Sequence, residues 1–296
     1  VVMYDRVNLR LYVPPGDDVL GRLSPPSEVR QPDGSIIYRG EFGAFRYSLR
    51  GETIRLRGSL SRYVGTVPPS AVPRLAMERL SDSLGFDTGV AHVTRLEVFA
   101  DLDLRQPVCL YLPLLWTLAR HKRLTVDAAN GGSETLKFMT YRRSLQFYDK
   151  GAQSGEITSG GLVRIELSYR NGGVSDQLGK GLTLSRIGEP DFRAWIAGEW
   201  RQRYQSVEKG RELQPDLGGS DFVRSLAAEA IYRRGVGNVL ADIQAHRKGG
   251  AISKQRASDR RKAMLQLTRD PRFTRPSPLL AELDSAVANA ARAMAL

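Results

Sequence analysis

The chain has 296 residues, 44 Lys+Arg against 32 Asp+Glu for a formal charge of +12, and 41% hydrophobic residues. That size and apolar fraction suit a globular protein of about two domains with an ample core, and the positive excess points to a polyanionic partner, above all nucleic acid. The one cysteine excludes an internal disulfide, and the longest apolar run, 108–118, is interrupted by Pro113 and too short to cross a bilayer.

Residues 7–13 alternate Val7, Leu9, Leu11 and Val13 against Asn8, Arg10 and Tyr12, the pattern of a one-faced strand. No leader is expected ahead of Asp5, and Met3 is a candidate start. Residues 14–18 and 24–34, rich in Pro, Gly and Asp, read as loops. Short strands are predicted at 35–39, 44–49 and 52–57, the last two joined by an Arg50-Gly51 turn, with Arg55, Arg57 and Arg62 adding basic charge to that edge. Leu75, Leu80 and Leu84 predict a helix over 72–84, closed by Gly85.

A strand follows at 93–101, with Thr94, Leu96, Val98 and Ala100 on one face and Arg95, Glu97, Phe99 and Asp101 on the other. Residues 106–122 read as a largely buried helix, with Pro107 in its first turn, a kink at Pro113, and Cys109 as a small core residue in a reducing compartment. Strands at 134–140 and 144–150 are expected to form a hairpin through Tyr141 and Arg142. In the second of these, Leu145 and Phe147 face one way, and Gln146, Tyr148 and Lys150 the other. A strand at 162–170 sets Val163, Ile165, Leu167 and Tyr169 against Arg164, Glu166, Ser168 and Arg170.

From about 171 the period changes from 2 to 3.6, with helices expected at 191–208, 220–234, 236–247, 254–269 and 278–295. Asp191, Ser220, Ser253 and Ser277 are the candidate caps, with Pro278 at a first helical position. Trp195, Trp200 and Tyr204 are expected to pack on the sheet. The segment 247–275 carries ten Lys/Arg against Asp259 and Asp270, which suits either a DNA-binding helix or a solvated one.

The strands at 93–101, 144–150 and 162–170 each pair an apolar face with an ionic one. In one antiparallel sheet the ionic faces would gather Arg95, Glu97, Asp101, Tyr148, Lys150, Arg164 and Glu166 on an open surface. A phenol beside an ammonium can attack a phosphodiester, and two carboxylates with water suit Mg2+ or Mn2+. The competing reading is cross-strand ion pairing that stabilises a sheet modestly. His92, His121 and His246 are isolated, so a paired-histidine metal site is not encoded; a phosphate-binding P-loop and zinc-ligand spacings are also missing.

Thr94-Arg95-Leu96-Glu97, Phe147-Tyr148-Asp149-Lys150 and Leu162-Val163-Arg164-Ile165-Glu166, in that order, resemble the strand motifs of the rolling-circle replication initiators of filamentous phages and the related Rep-trans plasmid initiators. The start, Met3-Tyr4-Asp5 followed by 7–11, is also similar, and the likeness spans about 3–170. It implies that Tyr148 is the nicking nucleophile, that Glu97 and Glu166 sit in a metal site, and that Lys150 assists. The family more often has Asp where this chain has Glu97.

The expectation is an α+β protein: an antiparallel-sheet nuclease domain over 1–175, backed by helices, then an all-helical domain over 176–296 that binds DNA or a partner. It would nick and rejoin one strand of origin DNA, duplex or single-stranded, through a 5′-phosphotyrosine intermediate. Arg95, Arg142, Arg143, Arg164, Arg260, Arg261 and Lys262 would contact DNA. A host polymerase, a replicative helicase and a second copy of the chain are the further partners, in a bacterial host cytoplasm with no membrane role. The alternatives are a non-catalytic origin-binding protein or repressor, and a relaxase or transposase using the same tyrosine chemistry.

Overall fold

A computed structural model describes residues 4–23, 26–128, 132–155, 160–214 and 221–295. Met3 and the Ser220 cap lie outside them. In chain order the main elements are β1 (Tyr4–Tyr12), β2 (Ser27–Arg30), β3 (Ile36–Phe42), β4 (Phe45–Arg50), β5 (Thr53–Ser59), α1 (Leu60–Val64), α2 (Val72–Leu84), β6 (His92–Leu104), β7 (Leu115–Leu118), β8 (Lys122–Ala128), β9 (Gly132–Met139), β10 (Arg143–Asp149), α3 (Lys150–Ser154) and β11 (Gly161–Tyr169). They are followed by α4 (Gly173–Gln177), α5 (Leu184–Ile187), α6 (Pro190–Gln205), β12 (Val207–Lys209), β13 (Glu212–Leu213), α7 (Phe222–Arg234), α8 (Val236–Lys248), α9 (Lys254–Arg269), β14 (Thr274–Arg275) and α10 (Pro278–Ala295).

The fold is α+β. A ten-stranded sheet runs β2-β3-β4-β5-β1-β6-β11-β10-β9-β8, with neighbours antiparallel. The period-2 residues explain it: Val7, Leu9 and Leu11 of β1, Leu145 and Phe147 of β10, and Val163, Ile165 and Leu167 of β11 are all buried. They share one core with Ala76 and Leu80 of α2, Ile196 and Trp200 of α6, and Leu283 and Val287 of α10. The Trp200 indole donates to the Ile165 carbonyl oxygen at 3.1 Å and fixes α6 across β11. Helices on both sides of position 175 therefore cover the same apolar face. Trp116, Val236, Leu240 and Met264 form a second, smaller cluster around α8 and α9.

The helix at 72–84 forms as expected, and Gly85 ends it in the left-handed region at φ 77°, which only glycine enters without strain. Ser253 caps α9 by accepting from the Arg256 amide at 3.2 Å. Pro190 opens α6, so Asp191 lies inside its first turn and pairs with Arg186 instead of capping.

Several expectations are corrected. Residues 106–122 are not a helix: two 3-10 turns, 108–110 and 112–114, precede β7. Pro107 and Pro113 remove amide donors from the early turns, and β7 satisfies its backbone on β12, a strand some ninety positions away in sequence. Cys109 is exposed rather than core. Part of the 24–34 loop pairs with β3 as β2. Trp195 is 46% exposed and packs on Phe192, whereas Trp200 and Tyr204 enter the core. The C-terminal part holds the short β12, β13 and β14 among its helices. Between Asn8 and Leu9 the β1–β6 register shifts, which turns Thr94 out to solvent while Val93 and Leu96 are both buried.

Candidate functional site

The three ionic strands are neighbours, in the order β6-β11-β10. Residues directly opposite in an antiparallel pair share a face. Arg164 lies opposite both Asp101 and Tyr148, Glu166 opposite Phe99 and Gln146, and Ser168 opposite Glu97 and Ser144. Pattern and register together bring Tyr148, Arg164, Glu166, Glu97 and Asp101 to one face.

Arg164 is the hub. Its guanidinium holds Asp101 in two hydrogen bonds, of 2.5 and 2.6 Å, lies 3.8 Å above the Phe99 ring, and comes within 3.7 Å of Asp5. It also lies opposite Tyr148, where its positive charge favours the phenolate. Burial dominates, however, and with the Glu166 carboxylate it pushes Tyr148 up to about 12. The phenol is therefore protonated at neutral pH, and it sits within reach of a cation that would stabilise its anion.

Glu97 and Glu166 are 4% and 7% exposed, so the centre of this face is sheltered rather than open. Burial, then the Glu97 charge, then Asp5, push the Glu166 carboxyl up to about 7, while the Gln146 side chain opposite it and the Lys137 ammonium act in the opposite sense. Glu97 accepts from Arg95 Nε at 2.9 Å and from Ser168 Oγ at 3.3 Å. Glu97 is thus held both by an ion pair and by the site.

Two residues that the sequence pattern left unassigned join the cluster. Lys137 on β9 lies opposite Gln146, and its half-buried ammonium feels both carboxylates. The same alternation that buries Leu136 and Phe138 would have placed Lys137 on the ionic face. Asp5 arrives through the irregular β1–β6 register, which no period in the sequence encodes. Lys150, by contrast, does not continue the strand. Asp149 caps α3 by accepting from the Ala152 amide at 2.8 Å, Lys150 opens that helix, and its ammonium bonds Gln153 at 3.2 Å. The strand ends one residue too early to stand Lys150 beside Tyr148.

The expected DNA contacts disperse. Arg142 pairs with Asp176, and Arg143 donates to Gln177 at 3.0 Å, both beside α4. On α9, Arg260 and Lys262 are exposed, while Arg261 pairs with Glu208 at 2.6 Å.

Among the described residues no group of three or more His, Cys, Asp or Glu side chains is arranged to hold a metal ion. Mg2+ is held by one or two carboxylates with waters and substrate phosphates completing its shell. The pair of Glu97 and Glu166, in which the Glu97 charge pushes the Glu166 carboxyl up, fits that smaller requirement.

No family model matches the chain, and no curated protein matches it. Among solved structures, the rolling circle replication initiator protein from Geobacillus stearothermophilus overlaps 75% of this chain and 89% of its own, at 13% identity and a TM-score of 0.38. The di-domain ARO/CYC protein BexL overlaps 63% and 80%, at 10% identity and a TM-score of 0.19. Likenesses this distant assign no activity. Among the described residues no helix is long and apolar enough to cross a membrane.

Proposed function

We propose that this chain is a rolling-circle replication initiator that cuts and rejoins one strand of origin DNA with Tyr148. The observation that carries the reading is Tyr148 directly opposite Arg164 in the β10–β11 pair, with the buried Glu166 two residues along the same strand as Arg164. A raised Glu166 together with a raised Tyr148 is the kind of perturbation that gathers at working sites.

In the reaction, the Tyr148 oxygen forms a bond to the scissile phosphorus and the bond from phosphorus to the 3′ oxygen breaks. The phenolic proton is lost as the attack proceeds, and the departing 3′ oxygen gains one to become the 3′-OH that primes a polymerase. The 5′ end stays on the enzyme as a phosphotyrosine until the reverse transfer rejoins it. Arg164, opposite Tyr148 in the sheet, stabilises the negative charge of the attack. Lys137 holds positive charge near the carboxylates. Glu97 and Glu166 are the residues to hold Mg2+ or Mn2+, which would supply a Lewis acid for the scissile phosphate.

The test is covalent capture. The full chain, incubated with supercoiled DNA of its own replicon and Mg2+, converts it to open circles and yields an SDS-resistant protein–DNA adduct. Tyr148→Phe loses both by ~1000-fold or more while its thermal melt and DNA binding stay near wild type. An adduct on Tyr148→Phe overturns the assignment and makes Tyr141, exposed in the β9–β10 turn, the next candidate. DNA binding without any nicking would favour the non-catalytic origin binder.

A further inference from the structure

The same sheet face continues from Arg95 across β1, β5, β4 and β3, and there it forms an open groove of about 1050 Å³. Arg6, Arg39, Arg46, Arg55, Arg57 and Arg62 line it, all exposed. Elsewhere in the protein ion-paired arginines are common among the described residues: Arg74 with Glu78, Arg142 with Asp176, Arg186 with Asp191, Arg203 with Glu199, and Arg272 with Asp270. In the groove, Arg46 meets Glu41 only at 3.9 Å with both side chains in solvent, and the other five have no carboxylate within 4.0 Å among the described residues.

The strand register makes the mismatch sharper. Arg46 lies directly opposite Arg57 in the β4–β5 pair, and Arg10 directly opposite Arg55 in the β1–β5 pair. Like charges facing each other across a ladder destabilise a sheet. A surface assembled against stability in this way is explained when a polyanion supplies the missing negative charge. The groove's aromatic side chains, Phe45 and Tyr47, are buried, so it offers bases no stacking platform. Its chemistry suits phosphates in a row, which guanidinium groups bind bidentately. At its inner end it reaches Arg95 and Asp5, and Asp5 touches Arg164 beside Tyr148.

We infer that this groove over β3, β4, β5 and β1 holds the sugar-phosphate backbone of DNA, independent of base sequence, and leads it to the Tyr148 face. The first half of the statement stands without any cleavage chemistry; only the second rests on the reading of Tyr148 as nucleophile.

The test reads binding alone, in the full chain carrying Tyr148→Phe so that no strand is cut. Fluorescence anisotropy of a labelled random-sequence oligonucleotide, single-stranded in one arm and duplex in the other, is followed over several KCl concentrations. Adding Arg55→Gln and Arg57→Gln weakens binding ~10-fold or more at low salt. The slope of log affinity against log salt flattens by about 1.8 if the groove takes duplex, or about 1.4 if it takes a single strand. The arm that changes identifies which form the groove holds. The same double substitution leaves the melting temperature unchanged or raises it, because two facing Arg pairs are relieved. A charge-matched control, Arg74→Gln with Arg292→Gln on α2 and α10, leaves affinity and slope unchanged. Unchanged binding in the groove variant overturns the inference, and so does an equal loss in the control, which would mean that net charge alone attracts the DNA. A Tyr148 that fails to cut while the groove variant still loses binding would sink the nucleophile and leave the groove standing.

Discussion

Glu166→Gln removes a charge that the fold holds against its burial. The carboxyl titrates at about 7 in the folded chain against 4.5 for an unhindered glutamate. At about 1.4 kcal/mol for each tenfold change in proton affinity, keeping it ionised costs the fold about 3 kcal/mol. The sign follows from proton counting. Between pH 4.5 and 7 the folded chain binds more protons at this site than the unfolded chain, so stability falls as pH rises through that window and levels off above it. Glutamine has nearly the same shape and no charge, so the variant escapes the fall. Thermal melts of both proteins by circular dichroism, from pH 4.5 to 8 without divalent ions, should coincide near pH 4.5. By pH 8 the variant should be the more stable, with a gap on the order of 5–10 °C in a chain of this size. A gap that does not change with pH, or a wild type that gains on the variant as pH rises, would refute the account of Glu166 as a desolvated carboxylate pressed by Glu97 and Asp5.

Nicking should require Mg2+ or Mn2+, stop in EDTA, and fall at least ~100-fold in both Glu97→Gln and Glu166→Gln; full activity in EDTA removes the metal from the mechanism. Mg2+ should raise the melting temperature of the wild type most above pH 7, where Glu166 is ionised, and leave Glu166→Gln nearly unmoved, which differential scanning fluorimetry would read directly. On α9, Arg260→Glu with Lys262→Glu should weaken duplex binding and flatten its salt slope by about 1.8, with Arg261 left in place because it holds Glu208. Unchanged affinity and slope would make α9 a solvated face.

What the sequence determined by itself is the set of faces. Period-2 alternation over 144–150 and 162–170, and period-3.6 spacing from about 171 onward, dictate which side chains must leave water, and local chemistry such as Ser253, Pro278 and Gly85 marks where helices begin or end. Those signals are short-range, so β10, β11, α2, α9 and α10 were legible, and so was the alignment of Tyr148 with Glu166 once the strands were neighbours. The tertiary structure alone decided three things. It made β7 a strand, because β12 supplied hydrogen-bond partners from far along the chain. It ended β10 at Asp149, because that carboxylate caps α3, so Lys150 opens a helix instead of standing beside Tyr148. It set Arg46 against Arg57 and Arg10 against Arg55, because cross-strand register is fixed by which strands pair and not by the pattern within either one.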